Sequence, residues 1–227
     1  YLINDVSDFK QLLAFGQDES LKFRLKDDLD LDTETNFYIP YLAGRFDGNG
    51  HKVYNLSVNF DFVSNVGLIG HLDSDGKVTG MGVENANITG FSDVGGVVGW
   101  NDGTVSDSYS TGSMTGNEDV GGLVGFNSLG TVINCYASGS VAGPWSVGGL
   151  VGESWGGTVS NSHYNYDEVL INGRNIITIG ALFAEDFEQW LTNDKLLNVN
   201  ERLPQESGYY LINDVSDFKQ LLAFGQD

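Results

Sequence analysis

The sequence predicts an all-β protein: a parallel β-helix, or β-solenoid, of rungs about 27 residues long, closed by short capping α-helices. Three observations predict it. First, one phrase recurs as VGLIGHLDSDGKVTGMGVENANITG from Val66, VGGVVGWNDGTVSDSYSTGSM from Val94, VGGLVGFNSLGTVINCYASGSV from Val120 and VGGLVGESWGGTVSNSHYNY from Val147. Within it Gly76, Gly103, Gly130 and Gly157 follow at intervals of 27 residues (103−76, 130−103, 157−130). A fixed period of this size marks a repeat architecture in which each unit stacks on the next to bury a shared core. Second, Val, Ile, Thr, Tyr and Ser dominate each unit, glycine punctuates it, and no apolar stripe at helical spacing runs through it. Each unit therefore reads as two or three short strands joined by tight turns, with rungs about 4.8 Å apart. Third, YLINDVSDFKQLLAFGQD at residues 1–18 returns letter for letter at 210–227, an offset of 209 (210−1). Repeats of 27 thus nest inside one of 209.

Residues 1–18 open the repeat as a capping helix. Ser7 is placed to cap it, Phe9, Leu12 and Leu13 share a face, and Gly16 ends it. Residues 19–166 are the solenoid rungs. Their period predicts stacked columns: Val78, Val105, Val132 and Val159; Tyr109, Tyr136 and His163; Gly112 and Gly139; Thr104, Thr131 and Thr158, lining a turn. Corners of so tight a coil need positive φ or close backbone approach, which is the reason for the glycines. Residues 167–209 form the C-terminal closure. It comprises an irregular last rung over 165–180, a helix from Ala184 to Leu191 with Phe187, Trp190 and Leu191 inward, and a Pro204–Gly208 linker. Terminal elements of a different character protect raw strand edges. Residues 210–227 begin the next tandem copy.

Composition narrows the function. The chain of 227 residues has 31 acidic and 11 basic side chains, a net charge of −20. So acidic a surface argues against nucleic acid and anionic lipid as partners and suits solubility, salt tolerance or divalent cations. No run of 18 apolar residues is present, so no membrane span is expected. No signal peptide is visible, but a fragment cut from inside a longer chain would lack one anyway. Cys135 falls in the Ser108/Ser162 column and reads as a buried small residue, not a nucleophile.

Gly121-Gly122-Leu123-Val124-Gly125, with its variants at Gly95–Gly99 and Gly148–Gly152, resembles the GLUG motif of bacterial and archaeal surface proteins. RFDGNGHKVYNLSV (Arg45–Val58) resembles the opening rung of those proteins, and RLKDDLDL (Arg24–Leu31) the strand before it. The resemblance covers roughly residues 1–166. It implies a right-handed parallel β-helix, secreted or anchored at the cell surface, in adhesins and long stalks. Some members also carry a metalloprotease of the immunoglobulin-A-cleaving type. That enzyme needs an H-E-x-x-H helix, and His51, His71 and His163 are isolated here.

No catalytic, cofactor-binding or metal-ligating residue is assigned from the sequence. Calcium is the one cofactor to weigh: Asp28, Asp30 and Asp32 alternate along one expected strand, and DGNG (Asp47–Gly50) and DSDG (Asp73–Gly76) are pieces of oxygen-ligand loops, though neither completes a calcium motif. Their alternative is a solvated acidic face. Carbohydrate is the second: His71, Trp100, Phe126 and Glu153 form a column, as do Tyr109 and Tyr136, and aromatic ladders either stack on sugars or simply brace neighbouring rungs. Polysaccharide cleavage would need an acid/base pair or a basic cluster, and the basic residues are scattered singly. Ice or mineral binding would need several threonine ranks, where one column exists. Asn55-Leu-Ser and Asn87-Ile-Thr match the N-glycosylation pattern. The expected role is a non-catalytic structural repeat of an extracellular fibre, filament or adhesin stalk, joined end to end with copies of itself. The alternative is a surface module binding glycans on its aromatic ladder.

Overall fold

The computed structural model describes residues 1–197 and 205–224. The chain coils as a parallel β-solenoid with four strand faces, taken in the order first, second, third, fourth within each full coil. The first face stacks Leu2–Ile3, Lys22–Leu25, Arg45–Asp47, Lys77–Thr79, Thr104–Ser106, Thr131–Ile133 and Thr158–Ser160. These seven strands, at about 4.8 Å per step, span roughly 29 Å. The second face runs from Leu29–Asp30 through Lys52–Tyr54, Gly82–Thr89, Tyr109–Thr115, Tyr136–Ala142 and His163–Asn165 to Ala181–Leu182. The fourth stacks Ile39–Leu42, Ile69–Leu72, Val98–Asn101, Val124–Asn127 and Val151–Ser154. The third face, Ser92–Val94, Glu118–Gly121 and Val147–Gly148, is an extra short strand beyond the two or three read from the sequence.

Inside, like side chains stack on like. Phe23, Phe46, Val78, Val105, Val132 and Val159 are in register on the first face. Ile39, Ile69, Val98, Val124 and Val151 face them from the fourth. Most of these are wholly buried, in a single apolar core that runs the length of the coil. Each fully buried Val or Ile contributes roughly 1.5–3 kcal/mol, so the columns carry most of the favourable energy. One column changes character: Leu42 and Leu72 are followed by buried Asn101 and Asn127 and then by Ser154. Asn101 Nδ2 donates to Asn127 Oδ1 at 2.8 Å, an amide ladder inside the core that leaves Asn101 Oδ1 buried without a hydrogen bond among the described residues.

The glycine and corner residues divide labour that the sequence reading had combined. Positive φ at the corner between the first and second faces falls mainly on Asp107 (51°), Asn134 (56°) and Asn161 (44°), within the third-face strands on Asp93 (54°) and Asp119 (53°), and at the matching place one coil earlier on Asn65 (58°). Asn and Asp tolerate this region because a short polar side chain bonds locally. Their amides form an outer ladder, Asn134 Nδ2 donating to Asp107 Oδ1 at 3.1 Å and Asn161 Nδ2 to Asn134 Oδ1 at 2.8 Å. Glycine serves close approach. A Cβ on Gly122 would stand 2.2 Å from Gly149 O and 2.8 Å from Ala137 Cβ, because the motif presses against the second face here. Gly112 and Gly139 need both properties, with φ of 131° and 121°. The threonines Thr104, Thr131 and Thr158 open strands of the first face and do not line a turn.

The N-terminal segment covers the open end of the core as two short helices, α1 (Val6–Lys10) and α2 (Leu12–Phe15). Its cap is Asp5, which accepts from Asp8 N at 2.9 Å; Ser7 lies inside the helix. Phe9 and Leu12 are buried, whereas Leu13 is 54% exposed, since the break at Gln11 turns it outward. Gly16 does end α2, but with ordinary helical φ; a Cβ there would meet Tyr41 O at 2.4 Å.

At the other end residues 163–182 complete a further coil in register. Tyr164 pairs with Ala181, Leu170–Ile171 lie beside Ser140–Val141, and Tyr164 Oη donates to Ile176 O at 2.6 Å. Helix α3 (Ala184–Thr192) starts where Asp167 Oδ2 accepts from Ala184 N at 2.9 Å. It lies on the outside of the second face and does not plug the end: Phe187 and Trp190 pack on Leu182 and Tyr136, while Leu191 is 39% exposed. Of the expected linker, Pro204 falls outside the described residues. The rest is a tight hairpin, Gln205–Glu206 against Tyr209–Tyr210, with positive φ at Ser207 and Gly208. Helix α4 (Val215–Phe224) belongs to the second copy of the terminal segment.

Candidate functional site: the outward columns

The solenoid turns every outward strand position into a column, and three columns carry chemistry. On the fourth face Tyr41, His71, Trp100 and Phe126 succeed one another, followed by Glu153. The column therefore begins one rung earlier than the sequence reading placed it. Their rings meet at 5.2 Å and 80°, 6.1 Å and 55°, and 4.6 Å and 62°. These tilted geometries satisfy the ring quadrupoles mutually. Asp102 Oδ2 braces the stripe, accepting from Trp100 Nε1 and meeting His71 Nε2, each at 3.0 Å. The stripe is half-buried.

On the second face Tyr109 and Tyr136 stack at 4.8 Å with their planes 2° apart, the spacing of the rungs themselves. Tyr109 Oη donates to Glu84 at 2.6 Å, and Lys52 Nζ donates to the other oxygen of the same carboxylate at 2.7 Å. Lys52 first, and then Tyr109, hold the Glu84 carboxyl below its usual range, while burial pushes the Tyr109 phenol up. The next rungs are covered: Phe187 packs edge-on to Tyr136 at 6.1 Å and Trp190 to His163 at 4.8 Å. Trp190 Nε1 also donates to Asn161 Oδ1 at 2.7 Å. At Tyr136 and His163 this column is a seat for α3.

The third column is acidic. Asp93 is 6% exposed, and burial raises its carboxyl above the usual range. Asp119, one rung on, is pushed up to about 6, by burial first and then by the charges of Asp93 and Glu118.

The remaining sequence candidates separate. The expected strand of alternating aspartates is only Leu29–Asp30, because the chain turns on both sides of it. Asp28 meets His51 Nδ1 at 3.2 Å, Asp30 accepts from Asn55 Nδ2 at 2.8 Å, and Asp47 accepts from Arg24 at 2.7 Å. Asp73 closes a turn through its backbone oxygen to Gly76 N. Among the described residues no group of three or more His, Cys, Asp or Glu is arranged to hold a metal ion. His51 and His71 each face an aspartate, but among the described residues no hydroxyl or thiol nucleophile hydrogen-bonds to either ring. Cys135 is buried in its predicted column, its amide donating to Ser162 Oγ at 3.0 Å, and burial pushes its thiol up to about 12. Asn55 is locked between Asp30 and Asn85, whereas Asn87 is exposed on its strand. The sequence reading did not single out Trp145 and Trp155, which are 70% and 74% exposed. Both stand in turns outside the column register, where periodicity gives no signal.

The family model described as "The GLUG motif" matches residues 92–115 and 116–142. These are two consecutive coils, each running through the third, fourth and first faces and ending with a second-face strand, Tyr109–Thr115 and Tyr136–Ala142. Among curated proteins, Halomucin of Haloquadratum walsbyi is 39% identical over 72 residues, 32% of this chain. The match spans 1% of that much longer relative. Among solved structures, a "putative immunoglobulin A1 protease" from Bacteroides ovatus aligns with a TM-score of 0.60 over 93% of this chain and 91% of its own, at 17% identity. That likeness shows the fold. Residues 92–142 are thus two adjacent GLUG motifs, set within a parallel β-solenoid.

Proposed function

We propose that this chain is a non-catalytic structural unit of an extracellular or surface-exposed β-solenoid, serving as a fibre, filament or adhesin-stalk repeat. The observation that carries the reading is the unbroken register of the first-face core column from Phe23 to Val159. Each rung bonds only to its neighbours, so stability is nearly a sum of adjacent terms and length grows by duplication. The acidic flanks keep parallel rods apart, and in this reading divalent cations act between rods as bridges. The protease activity of some GLUG proteins does not transfer, since the sequence lacks its zinc helix. Electron cryo-microscopy of native material, with and without chelator, tests the proposal. An axial repeat matching one 209-residue unit supports it, and fragmentation by chelator adds cation bridging. Isolated short rods under both conditions would remove the fibre.

A second reading, a glycan-binding module, rests on the half-buried Tyr41–Phe126 stripe and on exposed Trp145 and Trp155. Selective binding on a glycan array that Trp100→Ala abolishes would establish it in place of the first.

A further inference from the structure

Lys22, Arg45 and Lys77 stand 23 and 32 residues apart (45−22, 77−45), off the 27-residue period, so along the sequence they read as isolated. The fold stacks them. Lys22 is in register with Arg45 and Arg45 with Lys77, in one outward column on three consecutive strands of the first face. All three are exposed, because Phe23, Phe46 and Val78 take the inward positions beside them. Arg45 N donates to Leu21 O at 3.0 Å and Lys77 N to Gly44 O at 3.1 Å, which holds the rungs together at the column. The column therefore carries one cation per rung, about 4.8 Å apart.

Its charge is uncompensated. In the neighbouring column Arg24 Nη2 pairs with Asp47 Oδ2 at 2.7 Å, so the one carboxylate on these three strands is already neutralised. Glu19 and Asp75 lie in the turns just before Lys22 and Lys77, yet among the described residues none of the three column cations forms a salt bridge. Four of the chain's 11 basic side chains thus share one face of a molecule whose net charge is −20. Beyond Lys77 the same column continues as Thr104, Thr131 and Thr158, three hydroxyls in succession.

We infer that this column, Lys22–Arg45–Lys77 continued by Thr104–Thr131–Thr158, is a binding surface for an acidic polysaccharide lying along the solenoid axis. A flat strand face offers no concave pocket to enclose a compact anion. Cations in a line suit an extended polymer that presents anionic groups repeatedly. Lys and Arg hold carboxylate or sulfate through charge-assisted hydrogen bonds, and threonine hydroxyls both donate to and accept from sugar hydroxyls. At about 0.15 M salt charges are screened beyond about 8 Å, so an anionic group on the column feels the column and not the net charge. Duplex nucleic acid is wider and carries one charge per about 1.7 Å, so it also meets the flanking Glu19 and Asp75. A second copy of the chain fits less well, because its strand registers set at most two acidic side chains one above the other, as at Asp93 and Asp119. The surface is separate from the Tyr41–Phe126 stripe, and only its extracellular setting rests on the structural reading above.

The test is biolayer interferometry of the full chain on immobilised polygalacturonate, dextran sulfate and neutral dextran. Binding is expected to one or both acidic polymers, the preferred one telling carboxylate from sulfate, and not to dextran. It should weaken as salt rises from about 0.1 M to about 0.5 M, with a log–log slope on the order of −2 for three contacts. Lys22→Glu/Arg45→Glu/Lys77→Glu should lose about tenfold or more. Lys10→Glu/Arg174→Glu/Lys219→Glu, the same change in net charge elsewhere, should bind as the native chain does. If the first triple variant fails to fold, Arg45→Gln alone, exposed and breaking no ion pair, should still lose about threefold. Equal losses in both triple variants, single-stranded DNA held as tightly as the acidic polymers, or no binding to either polymer overturns the inference. Binding lost in Trp100→Ala but kept in the column variants assigns glycan to the aromatic stripe and overturns it too. None of these outcomes alters an axial repeat in native material, so the surface and the structural role are judged separately.

Discussion

Gly122→Ala probes why the repeated phrase carries glycine. The added methyl would stand 2.2 Å from Gly149 O, a backbone atom of the next rung, and 2.8 Å from Ala137 Cβ. The rungs cannot part to admit it, because Leu123 N donates to Leu150 O at 2.9 Å and Gly96 N to Gly122 O at 3.2 Å on either side. Overpacking a well-filled core costs about 1–3 kcal/mol. With backbone rather than a flexible side chain in the way, we expect about 3 kcal/mol. Gly50→Ala is the control: nothing lies within 4 Å of its Cβ, but its φ is 79°, and that strain costs roughly 1–2 kcal/mol. Ala137→Gly in the Gly122→Ala background relieves the longer contact only and does not rescue. Urea unfolding followed by circular dichroism measures all three as shifts in midpoint at constant slope. A Gly122→Ala chain no less stable than Gly50→Ala would refute close approach as the reason for the motif.

Three further outcomes follow from the same structure. Asp119 has a folded-state value raised to about 6, so its ionisation opposes folding, and stability from this group falls as pH rises from about 4 to 6. Asp119→Asn keeps the left-handed backbone and should raise stability at pH 7 by about 1 kcal/mol after solvent screening, with no gain at pH 4; an equal gain at both would exclude the charge. Cys135, buried with its thiol pushed up to about 12, should resist iodoacetamide in native buffer and react fully in denaturant, as read by mass spectrometry. Phe9→Ala should cost about 3–5 kcal/mol, whereas Phe218→Ala, at the same place in the identical segment, should change dilute-solution stability by less than about 0.5 kcal/mol.

Periodicity made the columns legible: the valines, the Tyr109–Tyr136–His163 rank, the paired glycines and the Trp100–Phe126 stripe all fall where equal spacing puts them. It could not reveal which outward columns are covered. Tyr136 and Trp100 look alike in sequence, yet only Tyr136 lies under a helix, because α3 comes from a segment outside the repeat. Nor does spacing separate positive φ from close approach, so the corner duty of Asp107 and Asn134 passed unnoticed beside the glycines. The aspartates near Asp30 alternate as a strand would, but the strand ends after two residues and each carboxylate turns to a different partner.

The duplicated segment divides the two kinds of information. Its eighteen letters determine an Asp cap, an Asn-to-Asp hydrogen bond and helix in both places, since these interactions reach no more than four residues along the chain. They do not determine that the helix breaks at Gln11 in one copy and runs from Val215 to Phe224 in the other. Nor do they determine that Phe9 is buried and Phe218 exposed. Those differences were decided by tertiary structure alone, because burial requires a facing surface, and only the first copy has Phe37 and Phe46 against it.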